Sequence, residues 1–295
     1  MPTLCLKSGE EHKNLVAVEK IWAFYQKNHC SRNTLSIHLG GGVLGDLGGF
    51  AAATFKRGMP FLHIPTTLLS MVDAAIGGKT GFNYGKVKNL IGAFQMPEAI
   101  AVEPAFLKTL PNRFLASGYA EIFKHALIAD ADLWQKLIPL KQADIPEMSL
   151  IQKAQQTKLH IVAEDPEEKG CRKLLNYGHT IGHALEAISQ TTAQPLQHGE
   201  AIAIGMQVEN QMACELGHLD KAACQAINTK LQSFFPRKYA LTEAEWTDFL
   251  FFIQNDKKNR GKELNFTFLE GVGKGIYDVG LPLDKAEQLL RKIMF

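Results

Sequence analysis

The feature that most constrains the fold is a run of glycines set between an apolar segment and a helical one. Leu35-Ser-Ile-His-Leu-Gly-Gly-Gly-Val-Leu-Gly-Asp carries G-x-G-x-x-G at Gly40, Gly42 and Gly45. A strand that runs into glycines and then into a helix must turn tightly. Glycine there lets backbone approach a pyrophosphate, and the helix N-terminus offers free N–H groups and a positive dipole. The bland alternative is a tight strand-to-helix turn that binds nothing. The acidic residue that usually holds a ribose about 20 residues further on is missing, because that stretch reads Phe61-Leu-His-Ile-Pro. The motif alone therefore leaves the cofactor open.

Around this turn the first hundred residues read as α/β. Asn14 to Asn28 carries Leu15, Val18, Ile21, Trp22 and Tyr25 at helical spacing; Leu35 to Leu39, Phe61 to Ile64 and Ala99 to Val102 read as strands. Beyond Pro104 the pattern favours helix, with few strand signals before Leu264 to Leu269. The expected architecture is an α/β part over residues 1–103 and a mostly helical part over residues 104–295. Lys plus Arg (32) nearly balances Asp plus Glu (30), which argues against a nucleic-acid binder. The apolar window Phe61 to Gly78 is broken by Pro65, Thr66, Thr67, Ser70 and Asp73, so no membrane span is expected. Five scattered cysteines without a Cys-x-x-Cys pair, and a start (MPTLCLKSGEEHK) without a signal-peptide apolar core, point to a reducing, cytoplasmic setting.

Two constellations carry chemistry. In Asn176-Tyr-Gly-His-Thr-Ile-Gly-His-Ala-Leu-Glu, His179 and His183 fall at i and i+4 on one helix face. His198 follows in Gln-His-Gly-Glu, and Glu121 precedes in Gly-Tyr-Ala-Glu. Two or three imidazoles with a carboxylate suit a catalytic zinc that keeps one position open, whereas an i, i+4 histidine pair alone is often incidental. Spacing alone selects His179 and His183 together as ligands. The second constellation is cationic: Lys79 in Gly-Gly-Lys-Thr, Lys86 and Lys88 beside Asn89, Arg57 after the glycine helix, Lys124, Lys158, Arg172 and the run Asp256-Lys-Lys-Asn-Arg260. Any one of these alone reads as solvated surface. Beside Gly, Asn and Thr, the group suits a compact, doubly anionic ligand.

Taken together, GGGVLGDLGGFAAATFKRG, PTTLLSMVDAAIGGKTG, KNLIGAF, LKTLP, ASGYAEIFKHALI, LLNYGHTIGHALEA and HGEAIAIGM resemble the 3-dehydroquinate synthase family, in family order from about residue 9 to about residue 258. The resemblance implies a two-domain fold, α/β then all-α: a Rossmann-like NAD-binding domain and a helical domain holding zinc or cobalt. By position the metal ligands would be Glu121, His179 and His198, with His183 handling substrate or protons instead. NAD would meet Glu10, Lys13, Gly40, Gly41, Gly42, Gly45, Asp46, Thr66, Thr67 and Thr109. Catalysis would fall to Asp73, Lys79, Lys124 and His183. Substrate contacts would fall to Arg57, Lys88, Asn89, Lys158, Arg172, Asn176 and Lys257, with Arg57 reaching a neighbouring subunit of a homodimer. The family usually carries a strand–helix–strand segment before Gly-Glu-x-x-Lys; this chain begins just before that motif, so exposed apolar sheet surface is expected.

The implied reaction takes a phosphorylated seven-carbon sugar acid to a carbocycle in the shikimate pathway, by transient oxidation with NAD, phosphate elimination, reduction and intramolecular aldol closure. The competing readings are a related cyclase acting on another sugar phosphate, a metal-dependent polyol dehydrogenase, and an inactive NAD- or metal-binding homologue.

Overall fold

The structure, a computed structural model, describes residues 1–85, 87–255 and 263–295. It forms two compact units, Met1–Leu110 and Pro111–Phe295.

In the first unit, α1 (Leu15–Lys27) is started by Asn14, whose side chain accepts the Ala17 N–H, and it buries Ala17, Val18, Ile21 and Tyr25. Strand β1 (Ser36–Gly40) leads directly into α2 (Gly42–Thr54). Strand β2 (Phe61–Pro65) pairs parallel with β1, from Ser36 opposite Phe61 to Gly40 opposite Pro65. Between β2 and the hairpin β3 (Lys79–Tyr84) and β4 (Val87–Phe94), Ser70–Ala74 forms one π-helical turn. The short β5 (Ala99–Ile100) pairs parallel with β2, giving the order β1-β2-β5. Helix α2 lies close over this sheet because it carries glycines where it touches. A Cβ at Gly48 would stand 2.7 Å from the His38 ring of β1, and one at Gly49 2.5 Å from Thr80 of the β3–β4 hairpin. Ile37 and Leu39, which flank His38 on β1, are 42% and 53% exposed.

The second unit is helical: α3 (Asn112–Ala129), α4 (Ala131–Leu137), α5 (Met148–Glu164), α6 (His179–Ser189), α7 (His198–Glu215), α8 (Lys221–Phe234) and α9 (Glu243–Gln254). A β6–β7 hairpin (Glu263–Gly271 and Lys274–Pro282) and α10 (Leu283–Met294) follow. Leu115 to Ile128 of α3 is wholly buried, and most of α7 from Gly199 to Ala213 is buried too, so these helices form the centre of the unit. Helices α6 and α7 approach almost to backbone contact. A Cβ at Gly205 would lie 2.0 Å from the Gly178 carbonyl oxygen and 2.8 Å from the Gly182 nitrogen. Gly205→Ala is therefore expected to cost about 3 kcal/mol, at the upper end for overpacking. A thermal or urea midpoint within error of the parent would show that the helices separate freely.

Candidate active site

The first unit gathers the nucleotide-type residues. The Thr66 N–H donates to the Gly40 carbonyl at 3.0 Å and those of Leu44 and Gly45 to Gly41 at 3.1 Å, closing the turn that starts α2. A Cβ at Gly41 would press on Thr67 at 3.1 Å and one at Gly42 on Ala74 at 3.3 Å, so the turn admits little beyond glycine. Buried Lys13 donates to Asp46 Oδ2 and to Asn89 Oδ1, both at 2.5 Å. Asn83 extends the network: its side-chain amide donates to Glu10 Oε1 at 2.9 Å and its Oδ1 accepts the Asn89 N–H at 2.9 Å. Glu10, Lys13, Asp46 and Asn89, expected from sequence to serve cofactor and substrate, thus share one hydrogen-bonded cluster. Asn83 was missed; it sits on β3 two residues before Gly85, where nothing in the sequence pattern marks it.

Elsewhere in the unit, Asp73 is half-buried in the π-turn, and Lys79 and Lys88 are exposed on the hairpin. Thr109 ends the 3-10 turn Pro104–Thr109. Lys56, Arg57 and Gly58 follow α2 with φ of 51°, 67° and 122°, a run of left-handed backbone that leaves Arg57 exposed. Such conformations cost about 1–3 kcal/mol each in a non-glycine residue and persist where the surroundings hold them.

In the second unit the metal-type residues converge. The donor atoms of Glu121, His179 and His198 all lie within 4.8 Å of one another. Glu121 is fully buried, with Oε1 3.3 Å from His198 Nε2 and 3.7 Å from His179 Nε2. The long-range meeting has a local cause. The Gly199 N–H, one residue into α7, donates to Ser117 Oγ at 2.9 Å, and a Cβ at Gly199 would stand 2.3 Å from the Ser117 Cα. Glu121 lies one turn further along α3 from Ser117 and so on the same face. A capping box between Gln197 and Glu200 starts α7, and Arg113 of α3 grips Glu200 with two N–H groups at 2.8 and 2.7 Å. Ser117, Arg113 and Glu200 were missed by sequence reading; the Q-x-x-E spacing of the capping box was the available signal.

The electrostatics separate the two imidazoles. Burial, then the ammonium of Lys124, pushes the pKa of His179 well down, so it is neutral. Its Nδ1 faces the Tyr177 carbonyl at 3.0 Å; a carbonyl only accepts, so Nδ1 carries the proton and Nε2 offers a lone pair towards Glu121. Burial also disfavours a charged His198, but Glu121 and Glu186 outweigh it and raise its pKa to about 10. A position that attracts a proton this strongly suits a divalent cation as well. Lys124, buried at 2% exposure, pairs with Glu121 Oε2. His183 is exposed one turn beyond His179, its ring 5.0 Å from the His179 ring and 6.0 Å from that of His198. Glu121 thus forms a donor set with His179 and His198, whereas His183, the i, i+4 partner of His179, is not in that set.

Of the expected substrate residues, Arg172 is buried and donates from Nη1 to the Pro166 carbonyl at 2.6 Å, and Lys158 is buried on α5. Asn176 Nδ2 donates to Glu168 Oε1 at 3.0 Å. Lys257 lies outside the described residues.

Comparison with known proteins agrees with this geometry. Residues 3–117 match the family model described as 3-dehydroquinate synthase N-terminal, and residues 118–259 the one described as 3-dehydroquinate synthase C-terminal. A 3-dehydroquinate synthase of Prochlorococcus marinus (strain MIT 9211) is 41% identical over 99% of this chain and 80% of its own length. One of Campylobacter jejuni subsp. doylei is 41% identical over 92% and 79%. Among solved structures, a 2-deoxy-scyllo-inosose synthase complexed with carbaglucose-6-phosphate, NAD+ and Co2+ is 26% identical, covering 98% of this chain and 82% of its own, with a TM-score of 0.87. A structure described as a probable glycerol dehydrogenase from Sinorhizobium meliloti 1021, 14% identical over 95% of this chain and 81% of its own with a TM-score of 0.59, shares the fold alone. With both halves of the chain matched in order and the full-length relatives at about two-fifths identity, the chain belongs to the 3-dehydroquinate synthase family.

Proposed function

We propose that this protein is a 3-dehydroquinate synthase, a carbon–oxygen lyase acting on a phosphate ester. It converts 3-deoxy-D-arabino-heptulosonate 7-phosphate to 3-dehydroquinate and phosphate in the shikimate pathway. The observation that carries the reading is the buried Glu121 carboxylate facing His179 and His198 Nε2, in a chain that matches the family from residue 3 to residue 259.

The donor set fits zinc or cobalt: two imidazoles and a carboxylate leave a position open for substrate oxygens. The first unit fits NAD, with the Gly40–Gly42 backbone opening the N-terminus of α2 and Glu10, Lys13 and Asp46 clustered in the same unit. When bound, the cation supplies a Lewis acid for a substrate hydroxyl and NAD a hydride acceptor that returns what it takes, so net redox change is nil.

The roles proposed for the chain's own residues are those that the family resemblance implies. Glu121, His179 and His198 hold the cation. Gly40, Gly41, Gly42, Gly45, Asp46, Thr66, Thr67 and Thr109, with Glu10 and Lys13, hold the dinucleotide. Lys79, Lys88, Asn89, Asn176 and Lys257 bind the phosphate and stabilise the charge that grows on it as it leaves. Lys158 and Arg172 take the substrate carboxylate and hydroxyls. Exposed His183 exchanges protons with the substrate, and Asp73 and Lys124 orient hydroxyls. Residues 1–103 would form the NAD part and residues 104–295 the zinc and substrate part. In a cytoplasmic homodimer Arg57 would reach the phosphate site of the second copy.

A related cyclase acting on another sugar phosphate is the second reading, motivated by the 0.87 TM-score; 41% against 26% identity favours the first. The test is phosphate release from the seven-carbon phosphosugar acid with NAD and zinc, against chelator and NAD-free controls. Release that needs both, without NADH accumulating, is the expected result. NADH accumulating from a simple alcohol, or release from another sugar phosphate alone, would overturn the assignment.

A further inference from the structure

Both imidazoles that face Glu121 must present Nε2 to it, and each therefore needs its ring fixed from the Nδ1 side. For His179 the backbone does this, through the Tyr177 carbonyl at 3.0 Å. For His198 a side chain does: Glu186 Oε2 lies 3.3 Å from Nδ1, while Nε2 lies 3.3 Å from Glu121 Oε1. Glu186 sits two turns into α6, seven residues beyond His179, so the helix that carries one imidazole also carries the group that steers the other. It is 8% exposed, on the side of α6 that packs against α7. A carboxylate accepting the distal N–H of an imidazole sets its tautomer and orientation and raises its basicity as a ligand.

We infer that Glu186 is a positioning residue for His198, locking the Nδ1–H tautomer so that Nε2 is delivered to the cation. The inference rests on the metal-centre reading above. Glu186 could alternatively ligate a cation itself, since its donor atom also clusters with those of His183 and His198 within 4.8 Å. The geometry favours positioning: His198 has one nitrogen for each carboxylate, and the fully buried Glu121 already holds the Nε2 side together with His179.

The test is zinc affinity by competition with a chromophoric chelator, on purified full-length protein, with the visible spectrum of the cobalt-loaded form alongside. Glu186→Met keeps bulk but removes the acceptor, and is expected to weaken zinc about 10–100-fold. Glu186→Gln restores an acceptor oxygen and is expected to recover most of that loss. In both variants the cobalt spectrum keeps its band positions, because the ligands are unchanged. Parental affinity in Glu186→Met, or a Gln variant as weak as the Met variant, overturns the inference. A changed cobalt spectrum with affinity as low as in His198→Ala makes Glu186 a ligand and overturns it too. Should Glu186→Met fail to fold, Glu186→Asp decides: withdrawing the carboxylate by one methylene is expected to weaken zinc about tenfold, and parental affinity overturns the role. Full zinc retention in His198→Ala is a separate result, which sinks the metal-centre reading itself.

Discussion

Glu121→Gln is expected to abolish stoichiometric zinc retention and to lower phosphate release by about a thousandfold, since a metal supplies several kcal/mol at the transition state. The substitution preserves volume and one acceptor oxygen but removes the only charge that a three-ligand set of this kind contributes. Glu121 is fully buried on α3 and its two oxygens do different work: Oε1 faces both imidazoles and Oε2 pairs with Lys124, itself 2% exposed. Breaking a buried ion pair costs about 3–5 kcal/mol, so the variant should also unfold earlier than the parent without any metal present. A second signature separates the two effects. A cation bound a thousandfold above its dissociation constant stabilises the folded state by about 4 kcal/mol, so zinc should raise the parental midpoint and leave that of Glu121→Gln unmoved. Metal content after exhaustive dialysis and melting with and without zinc measure both. Stoichiometric zinc in the variant would remove Glu121 from the ligand set.

How much of this was legible in the sequence depends on the range of the contact. The glycine turn, α1 with its Asn14 cap and the β1 and β2 strands are local, and their residue patterns state them. The β3–β4 hairpin was not read as strands, because Gly81 and Gly92 interrupt both runs. In the fold they face each other, and a Cβ at Gly81 would lie 2.5 Å from the Ile91 carbonyl, so these positions are glycine for closeness rather than for a turn. Strand β7 was missed for a related reason: Gly275, Asp278 and Gly280 break its apolar alternation, although Leu264 to Leu269 announced its partner. At the metal centre, His179 lies 58 residues after Glu121 and 19 before His198. Helical periodicity can couple His179 only to His183, whereas the set came from the family resemblance. What assembles it is the Gly199–Ser117 approach, the Arg113 grip on Glu200 and the Tyr177 carbonyl. Each of these is a backbone or long-range polar contact, and none leaves a periodic trace.

Acid is expected to destabilise the first unit steeply. His38 and His63 are register partners on β1 and β2, 7% and 5% exposed, with rings 5.3 Å apart and Phe61 against both. Helix α2 covers them with glycines; a Cβ at Gly45 would stand 3.6 Å from the His63 ring. Burial, then the neighbouring His63, lowers the His38 pKa to about 3, and burial lowers that of His63 to about 4. His38 Nε2 reaches Ser36 Oγ at 3.0 Å, and Ser36 reaches Tyr25, whose pKa burial pushes up to about 12, so this side of the ring meets only neutral groups. The sign follows from proton counting. The unfolded chain takes up protons at both histidines below the ordinary value of 6.5 while the folded unit does not. Stability is therefore full above pH 6.5 and falls as the pH drops towards 4. Each histidine contributes about 1.4 kcal/mol per pH unit, or about 2 kcal/mol by pH 5 and about 4 for the pair. Urea unfolding followed through Trp22, which packs on Phe50 of α2, reads this unit directly. Replacing both histidines by leucine should flatten the profile between pH 6.5 and 5. A parental profile that stays flat down to pH 5 would mean that the two rings are hydrated in the folded protein, and that α2 does not seal the sheet beneath the nucleotide turn.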